Sequence, residues 1–507
     1  MQIITQNRFI RSIILFLLGA LCVLGFAPFY LYPASILSLI GLFYFWHQDY
    51  TAKQAAISGF IFGLGLFGTG IYWIYISLHD FGNMPSVIAG IATFLLCAFM
   101  ALFTALVGAL SVKISKHQSS QLLISIPIFW GLADWTRSWI FTGFPWLTMG
   151  YSQVPHSPLA GYMPIIGVYG VSMMTVFIAS LIGYWFAKKP ASVIWKRNSI
   201  ALLVLILVTG SVLKLVEWTT PTSKPISVAL LQGNITQDIK WSPEVAGKTL
   251  SLYLHMAEAS KAKLIIMPET AMPVLSSQIP QELIVRLQTH AVKNQGAILV
   301  GAVEHENDDY FNSVLSIDGG KSEVYRKSHL VPFGEFIPLK VAFGWIYRDL
   351  LNMPLSDLTR GSIHQQPMNI AGEKVAINIC YEDVFGEEII RQLPAATLLV
   401  NASNDAWYGQ SNAAYQHMQF SQARALETGR TVLRATNTGA TAIIDPHGNV
   451  LAHAPHFTET TLNGTAQGYS GSTPYVRWGN WLFLIICLIG LTAICLPNFL
   501  ASKRKTK

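Results

Sequence analysis

Three residues that could carry out acyl chemistry follow short strand-like runs in the middle of this chain of 507 residues. Glu269 comes just after the run 264–267, Cys380 follows the run 375–379, and Lys327 lies between them in sequence. A thiol has an ordinary pKa of about 8.5, so it needs a base or a nearby cation to become a nucleophile at neutral pH. The carboxylate of Glu269 can take the thiol proton, and the ammonium of Lys327 can stabilise the oxyanion of a tetrahedral intermediate. These residue types predict covalent catalysis at Cys380.

Cys380 is the one cysteine outside the long apolar runs, and it has no local partner for a disulfide. The surrounding sequence has no paired cysteines and no His-x-x-x-His spacing, so we predict neither a metal site nor a cofactor. Two plainer interpretations stay open. Cys380 can be ordinary core packing, since free cysteines are often buried, and Glu269 with Lys327 can be a salt bridge. The cysteines in apolar runs are Cys22, Cys97, Cys487 and Cys495.

The elements that must position these residues alternate between strand-like and helix-like segments. Such alternation is typical of an α/β layered domain. Since α/β sheets commonly place chemistry at strand ends, we expect the three residues to meet there. The predicted strands are 226–231, 264–267, 297–300, 375–379, 398–401 and 440–444, and the predicted helices are 244–261, 281–294 and 414–430.

The composition divides the chain into strongly apolar parts and a middle part with the composition of a soluble domain. Apolar residues make up 52% and charged residues 12%, about half the usual ~25%. The low fraction of charged residues comes from the two ends of the chain. Residues 218–477 carry 19 basic and 23 acidic side chains, so the basic pI of the whole chain does not come from this part. With no basic stripe there, we predict that nucleic acid is not a partner.

The apolar parts predict a polytopic α-helical membrane domain, because a crossing helix needs about 20 mostly apolar residues. We therefore predict a membrane domain at 1–216, a catalytic domain at 217–477, and an eighth helix with a basic tail at 478–507. The eight predicted transmembrane helices are near 12–28, 31–46, 55–77, 86–112, 121–141, 163–186, 199–216 and 479–499.

Lysine and arginine predict the orientation of these helices. The short loops 25–30, 78–85 and 142–162 contain none, whereas the opposite loops and both termini are basic. Lys214 is the one cation that argues the other way. By the positive-inside rule both termini lie in the cytoplasm, and 217–477 lies on the far side, the periplasm in a diderm bacterium. The cations on the cytoplasmic side are Arg8, Arg11, Lys53, Lys113, Lys116, Lys188, Lys189, Lys196, Arg197 and the basic tail 503–507.

Two further features leave alternatives open. Asp134 and Arg137 lie three apart on the fifth predicted span, where they either neutralise each other or contact a lipid headgroup. The segment 338–353 is strongly apolar although it lies in the catalytic domain. It is either a buried helix or a mobile lid that dips into the membrane and opens a route to Cys380.

The order of Glu269, Lys327 and Cys380 resembles that of the carbon–nitrogen hydrolase (nitrilase) superfamily. More narrowly, the chain resembles the bacterial apolipoprotein N-acyltransferase family nearly end to end. The motifs that carry this resemblance are GFPWL at 143–147, GYSQ at 150–153, MPETA at 267–271, HLVPFGE at 329–335, ICYE at 379–382, SNDAW at 403–407, RATN at 434–437, TPY at 473–475 and GNW at 479–481.

The resemblance implies an α/β nitrilase-like αββα sandwich with a Glu-Lys-Cys triad. It implies that Cys380 takes a fatty acyl chain from a phospholipid, typically phosphatidylethanolamine, as a thioester. The acyl chain then passes to the α-amino group of the N-terminal diacylglyceryl-cysteine of an apolipoprotein. Glu335 and Glu382 would be supporting residues, and the substrate-binding residues would be Trp241, Tyr381 and Trp407.

Two other functions fit the same residues. A membrane-tethered amidase or nitrilase would pass the acyl group to water, and its product would be a free acid. A non-enzymatic membrane scaffold for a lipid-modifying partner would carry the triad without using it. Trapping a thioester on Cys380 with phospholipid alone separates the scaffold from the enzymes.

Overall fold

A computed structural model of the chain describes residues 7–49, 51–115, 118–186, 192–222, 224–320, 322–337 and 357–505. The chain divides into two compact units. The first comprises Met1–Tyr72, Val87–Val216 and Trp478–Lys507, and the second comprises Trp73–Ser86 and Glu217–Arg477. The segment Trp73–Ser86, which the sequence prediction places in the membrane domain, therefore makes most of its contacts within the second unit.

The first unit is built from apolar helices, as expected of a membrane domain. Four described helices are long and apolar enough to span a bilayer, or five if Ala52–Gly70 and Trp73–Phe81 form one broken span. Two shorter apolar helices, Tyr32–Trp46 and Trp481–Leu496, add to these. The count of eight spans stays a prediction. The main helices are Arg8–Cys22, Tyr32–Trp46, Ala52–Gly70, Ser86–Ile114, Ile126–Arg137, Met163–Tyr184, Val193–Leu213 and Trp481–Lys505.

Glycines bring two of these helices into close contact. A Cβ atom at Gly19 would lie 2.0 Å from the carbonyl oxygen of Phe62, and one at Gly65 would lie 2.0 Å from that of Phe16. Each helix therefore presents a glycine to the backbone of the other. Small residues allow such an approach between membrane helices, so a side chain at either position would force the two helices apart.

Asp134 and Arg137 form a buried ion pair within the first unit, with Arg137 Nη2 2.5 Å from Asp134 Oδ1. Arg137 Nη1 also donates to the carbonyl of Trp146 over 2.9 Å, and Asp134 accepts hydrogen bonds from the Met149 backbone N–H and the Ser172 hydroxyl. The two charges neutralise each other, and the hydrogen bond from Arg137 to the Trp146 carbonyl holds the segment 143–147 in place. This arrangement fits the structural interpretation of the two charges.

The second unit contains two six-stranded sheets and one small two-stranded sheet. The described strands are β1 Thr219–Pro221, β2 Ile226–Gln232, β3 Leu264–Ile266, β4 Ala297–Glu306, β5 Asp309–Ile317, β6 Val324–Arg326, β7 Met368–Ile370, β8 Glu373–Ile379, β9 Leu398–Ser403, β10 Thr431–Thr436, β11 Ala442–Ile444, β12 Val450–His453, β13 Thr460–Ala466 and β14 Tyr469–Gly471. The first large sheet has the order β13-β2-β3-β4-β5-β6, and the second has the order β12-β11-β10-β9-β8-β7. Strands β2, β3 and β4 are parallel in the first, as are β8, β9 and β10 in the second.

The two large sheets pack face to face and are covered by helices on their outer faces. One apolar core, which includes Leu230 and Ile266 of the first sheet and Ile377 and Val400 of the second, fills the space between them. A second core lies between the first sheet and the helices Pro243–Ala259 and Gln281–Lys293, and a third between the second sheet and Ala413–Thr428. This order of helix, sheet, sheet and helix confirms the predicted αββα sandwich.

All six predicted strands and all three predicted helices of this unit are present, with ends shifted by a few residues. The prediction omitted the strands with more polar side chains, such as β5, β10 and β13. The apolar segment 338–353, predicted as a lid or a buried helix, lies outside the described residues.

Candidate active site

The three predicted catalytic residues lie within three residues of the ends of strands of the two large sheets. Strand β3 ends at Ile266, three residues before Glu269, and β6 ends at Arg326, next to Lys327. Strand β8 of the other sheet ends at Ile379, next to Cys380. The packing of the sheets thus brings the carboxylate, the ammonium and the thiol to one place.

The carboxylates of Glu269 and Glu335 share two donors. Lys327 Nζ lies 3.3 Å from Glu269 Oε1 and 2.9 Å from Glu335 Oε1. Asn312 Nδ2, on β5, donates to the same two oxygens over 2.7 and 2.9 Å. The other oxygen of Glu269, Oε2, accepts the backbone N–H of Asn404 from the second sheet over 2.9 Å. These contacts fix the acid and the ammonium across the junction of the two sheets.

Cys380 is held at a sharp turn with its thiol toward Glu269. Its φ is +51°, an uncommon value for a residue with a side chain, and it begins the 3₁₀ turn Cys380–Val384. The Glu269 carboxylate and the Ser403 hydroxyl both act on the pKa of the thiol, and only 8% of the residue is exposed. The backbone conformation therefore points a single nucleophilic atom into the buried cluster.

Burial and charge set the resting protonation of the three groups. Burial raises the pKa of the Cys380 thiol well above its ordinary value, and the Glu269 carboxylate raises it further, although Lys327 acts in the opposite direction. Burial would also raise the pKa of Glu269, but the Lys327 ammonium and the Asn312 hydrogen bond outweigh it and hold that pKa below its ordinary value. Burial would lower the pKa of Lys327, but Glu269 and Glu335 raise it. The resting site therefore holds a neutral thiol, an ionised carboxylate and an ammonium.

Glu382 lies on the other side of this turn and joins Cys380 to Lys327. Its carboxylate accepts the backbone N–H groups of Ile379, Ser328 and His329 over 2.7, 2.6 and 3.1 Å. The hydroxyl groups of Ser328 and Tyr325 also donate to it. Ile379 precedes the nucleophile and Ser328 follows Lys327, so this one side chain fixes the distance between the two segments.

A second network supports the backbone of Cys380 from within the second sheet. The carbonyl of Cys380 lies 3.1 Å from both Asn401 Nδ2 and His417 Nε2. The other ring nitrogen of His417 lies 3.0 Å from Asp405, which accepts a hydrogen bond from Arg434 Nη2 over 3.0 Å. The histidine ring therefore links the carbonyl of Cys380 to the Asp405–Arg434 pair.

The three predicted substrate-binding aromatics lie in different settings. Tyr381 is buried and packs edge-on against Phe385, at 5.1 Å between ring centroids. Trp407 is 37% exposed and packs edge-on against Phe81, at 6.5 Å. Trp241 is half-buried beside the ammonium of Lys240. Their role in substrate binding stays a prediction.

Comparisons with known proteins match both units of the chain. A family model described as "Apolipoprotein N-acyltransferase N-terminal domain" matches residues 18–181, and a model described as "Carbon-nitrogen hydrolase" matches residues 227–475. An apolipoprotein N-acyltransferase of Nitrosomonas europaea is 48% identical over 99% of this chain and 100% of its own length. The chain belongs to the apolipoprotein N-acyltransferase family.

Further relatives carry the same name. The apolipoprotein N-acyltransferase of Chromobacterium violaceum is 41% identical over 93% of this chain and 90% of its own length. That of Neisseria meningitidis serogroup B is 39% identical over 96% of both chains. Among solved structures, a carbon–nitrogen hydrolase of Helicobacter pylori covers 48% of this chain and 88% of its own, with 18% identity and a TM-score of 0.36.

The sequence prediction for this N-acyltransferase missed several residues that contact Glu269, one of the three predicted catalytic residues. Asn312, Asn404 and Lys240 make hydrogen bonds to Glu269 but had no assigned role. Asn404 lies inside the motif at 403–407 that carries the family resemblance, so this motif was a usable signal. Asn312 lies in a strand that the prediction omitted, and no comparable signal marked it.

Proposed function

We propose that this chain transfers a fatty acyl group from a phospholipid, through a thioester on Cys380, to the α-amino group of the diacylglyceryl-cysteine at the N-terminus of an apolipoprotein. One observation carries the proposal: a free thiol, an ionised carboxylate and an ammonium meet in a buried cluster at the strand ends. Family membership over the full length of the chain supports the identity of the substrates.

In the first step, Cys380 Sγ attacks the carbonyl carbon of a phospholipid ester. Because the thiol is protonated at rest, its proton passes to Glu269 as the sulfur–carbon bond forms. Lys327, with a backbone N–H beside Cys380, stabilises the negative oxygen of the tetrahedral intermediate. The ester C–O bond then breaks, Glu269 returns the proton to the leaving alkoxide, and a lysophospholipid departs.

In the second step, the α-amino nitrogen of the acceptor attacks the thioester carbonyl. An α-amino group has a pKa of about 7.7–8.0, so a useful fraction is the free amine near neutral pH. Glu269 takes a proton from the attacking nitrogen, the carbon–sulfur bond breaks, and the Cys380 sulfur regains a proton. The products are an amide and the starting enzyme, so each turnover is a ping-pong cycle.

The remaining predicted residues have assigned roles in this scheme. Glu335 orients Lys327, and Glu382 fixes the turn that carries Cys380. Trp241, Tyr381 and Trp407 contact the acyl chain or headgroup, and phosphatidylethanolamine is the proposed donor.

The proposed setting is the bacterial inner membrane. In the proposed topology eight transmembrane helices cross this membrane, with both termini in the cytoplasm and the catalytic domain in the periplasm. The absence of basic residues from the loops 25–30, 78–85 and 142–162 supports this orientation. Cysteine labelling of the loops with an impermeant reagent in whole cells tests it.

Mass spectrometry of the purified protein tests the chemistry. After incubation with phospholipid alone, the peptide that contains Cys380 is expected to carry one acyl mass, and the mass is expected to disappear when a diacylated lipopeptide is added. Cys380→Ser removes the thioester, while Cys495→Ser, at an exposed membrane-helix cysteine, is the matched control. An unmodified Cys380 together with an acylated acceptor would refute the mechanism.

The same reaction mixtures separate the alternatives. A hydrolase releases free fatty acid, whether or not an acceptor is present. A scaffold forms no thioester, and Cys380→Ser leaves lipoprotein acylation in cells unchanged. The transferase gives N-acylated lipopeptide in an amount equal to the lysophospholipid formed.

A further inference from the structure

Lys240 is a second buried lysine next to the proposed triad. It lies in the turn that follows β2 and precedes the helix Pro243–Ala259, and only 2% of it is exposed. Its Nζ donates to the backbone carbonyl of Glu269 over 3.3 Å and to Thr270 Oγ1 over 2.5 Å. Lys240 thus contacts the segment that carries the proposed base.

The segment that receives these hydrogen bonds is conformationally constrained. Thr270 has a φ of +46°, which is uncommon for a residue with a branched side chain. A Cβ atom at Gly301 of β4 would lie 2.1 Å from the carbonyl oxygen of Pro268 and 2.7 Å from the Thr270 nitrogen, so this turn is pressed against the sheet. The Lys240 ammonium donates to two acceptors of this turn, the Glu269 carbonyl and the Thr270 hydroxyl.

Lys240 has no carboxylate partner of its own among the residues that the structure describes. None of the ion pairs formed within the described part of the chain includes it. A buried ammonium without such a partner is costly. The charged and titratable groups that act on it are Glu269 and Cys380. Burial lowers the pKa of Lys240 to about 8, although both groups act to raise it, so the side chain is mainly charged at neutral pH.

The charged groups near Cys380 show what a second cation contributes to this site. Lys327 lies within hydrogen-bonding distance of two carboxylates, Glu269 and Glu335. One ammonium against two carboxylates leaves a net negative charge, which opposes the formation of a thiolate at Cys380. The ammonium of Lys240 brings the summed charge of Lys240, Lys327, Glu269, Glu335 and the Cys380 thiol to zero. This sum stays zero when the thiol proton moves to Glu269.

We propose that Lys240 is a positioning residue for acyl transfer: it holds the Glu269–Thr270 turn and supplies the positive charge that keeps the buried cluster neutral while the Cys380 thiolate forms. This inference rests on the proposed function, because it takes Cys380 as the nucleophile. It assigns to Lys240 no contact with substrate.

The experiment is the rate at which iodoacetamide alkylates Cys380 in Lys240→Met, measured against pH by the mass of the Cys380 peptide. Iodoacetamide is uncharged, so its rate reports the thiolate population. Removing a nearby opposite charge is expected to lower the alkylation rate by about tenfold or more at pH 7. The difference is expected to shrink above pH 8, because wild-type Lys240 itself loses its charge there.

Two variants separate charge from packing. Lys240→Gln keeps a hydrogen-bond donor toward Glu269 but has no charge, and it is expected to behave like Lys240→Met. It also serves as the second variant if methionine prevents folding. Lys248→Met removes an exposed lysine from the neighbouring helix and is expected to match the wild-type rate at every pH.

The outcomes distinguish this inference from the proposed function. A wild-type rate in Lys240→Met, or a rate difference that does not change between pH 7 and pH 9.5, overturns the role of the Lys240 charge. In that event a thioester that still forms on wild-type Cys380 with phospholipid leaves the proposed function standing. If wild-type Cys380 forms no thioester, the proposed function fails whatever Lys240 does.

Discussion

Replacing Arg434 by methionine should destabilise the second unit strongly. Arg434 is fully buried, and its guanidinium donates to Asn401 over 2.6 Å and to both carboxylate oxygens of Asp405 over 3.0 and 3.1 Å. Its Nη1 also lies 3.4 Å from Asp383. Burial would raise the pKa of Asp405, but Arg434 and then His417 hold it below its ordinary value, so this carboxylate is ionised at neutral pH. The variant leaves two buried acids without their shared cation.

The magnitude follows from the cost of an unpaired buried charge. Removing one partner of a buried ion pair costs about 3–5 kcal/mol. A unit of this size loses about 2–4 °C of thermal midpoint per kcal/mol, so a fall of about 6–20 °C is expected. The measurement is the thermal unfolding of the detergent-solubilised protein at neutral pH, followed by tryptophan fluorescence.

Two controls make this prediction refutable. Adding Asp405→Asn to Arg434→Met removes one of the stranded charges and should recover part of the lost midpoint. Arg286→Met breaks an exposed ion pair with Glu258 and should leave the midpoint unchanged. A midpoint within 2 °C of wild type for Arg434→Met, or no recovery in the double variant, would show that the network contributes little.

Three further predictions concern the site itself. Asn312→Leu removes the donor shared by Glu269 and Glu335, which raises the pKa of Glu269, so the acidic limb of the pH profile of thioester formation should move to higher pH. Lys240→Met should raise the free energy of unfolding at pH 7 by up to about 3 kcal/mol, because the pKa of Lys240 near 8 in the folded protein lies below its value in the unfolded chain. This gain in stability should shrink as the pH rises from 8 to about 10.5, where the lysine of the unfolded wild-type chain also loses its charge. Denaturant titrations at several pH values measure it. Trp407→Ala should raise KM for phospholipid several-fold while leaving the thermal midpoint and the alkylation rate of Cys380 unchanged, which steady-state assays in mixed micelles measure.

Local sequence patterns were sufficient for the parts of the fold whose side chains are uniformly apolar. Strand β3 and residues 375–377 of β8 are short runs of aliphatic residues buried on both faces, and the polar residues after these strands stood out for that reason. Strand β10 was missed because Arg434 lies in its middle, and a charged residue in a short run argues against a buried strand. That argument fails here because Arg434 has acidic and amide partners brought together only by the tertiary fold.

In the candidate site, too, some features could be predicted from the sequence and others depend on the tertiary fold. Glu269, Lys327 and Cys380 could be proposed from residue type, position and resemblance. The contact of Asn312 with two carboxylates and that of Asn404 with Glu269 could not, because each joins segments that are far apart in sequence. Such contacts depend on how the two sheets are packed, which no local periodicity encodes.

The division of the proposed triad between two sheets has a consequence for biogenesis. The acid and the ammonium come from one sheet and the sulfur from the other, so a chain in which only one sheet has assembled carries a thiol with neither its base nor its cation. In the proposed mechanism such a chain cannot acylate Cys380, so acyl transfer requires that both sheets have formed and packed together.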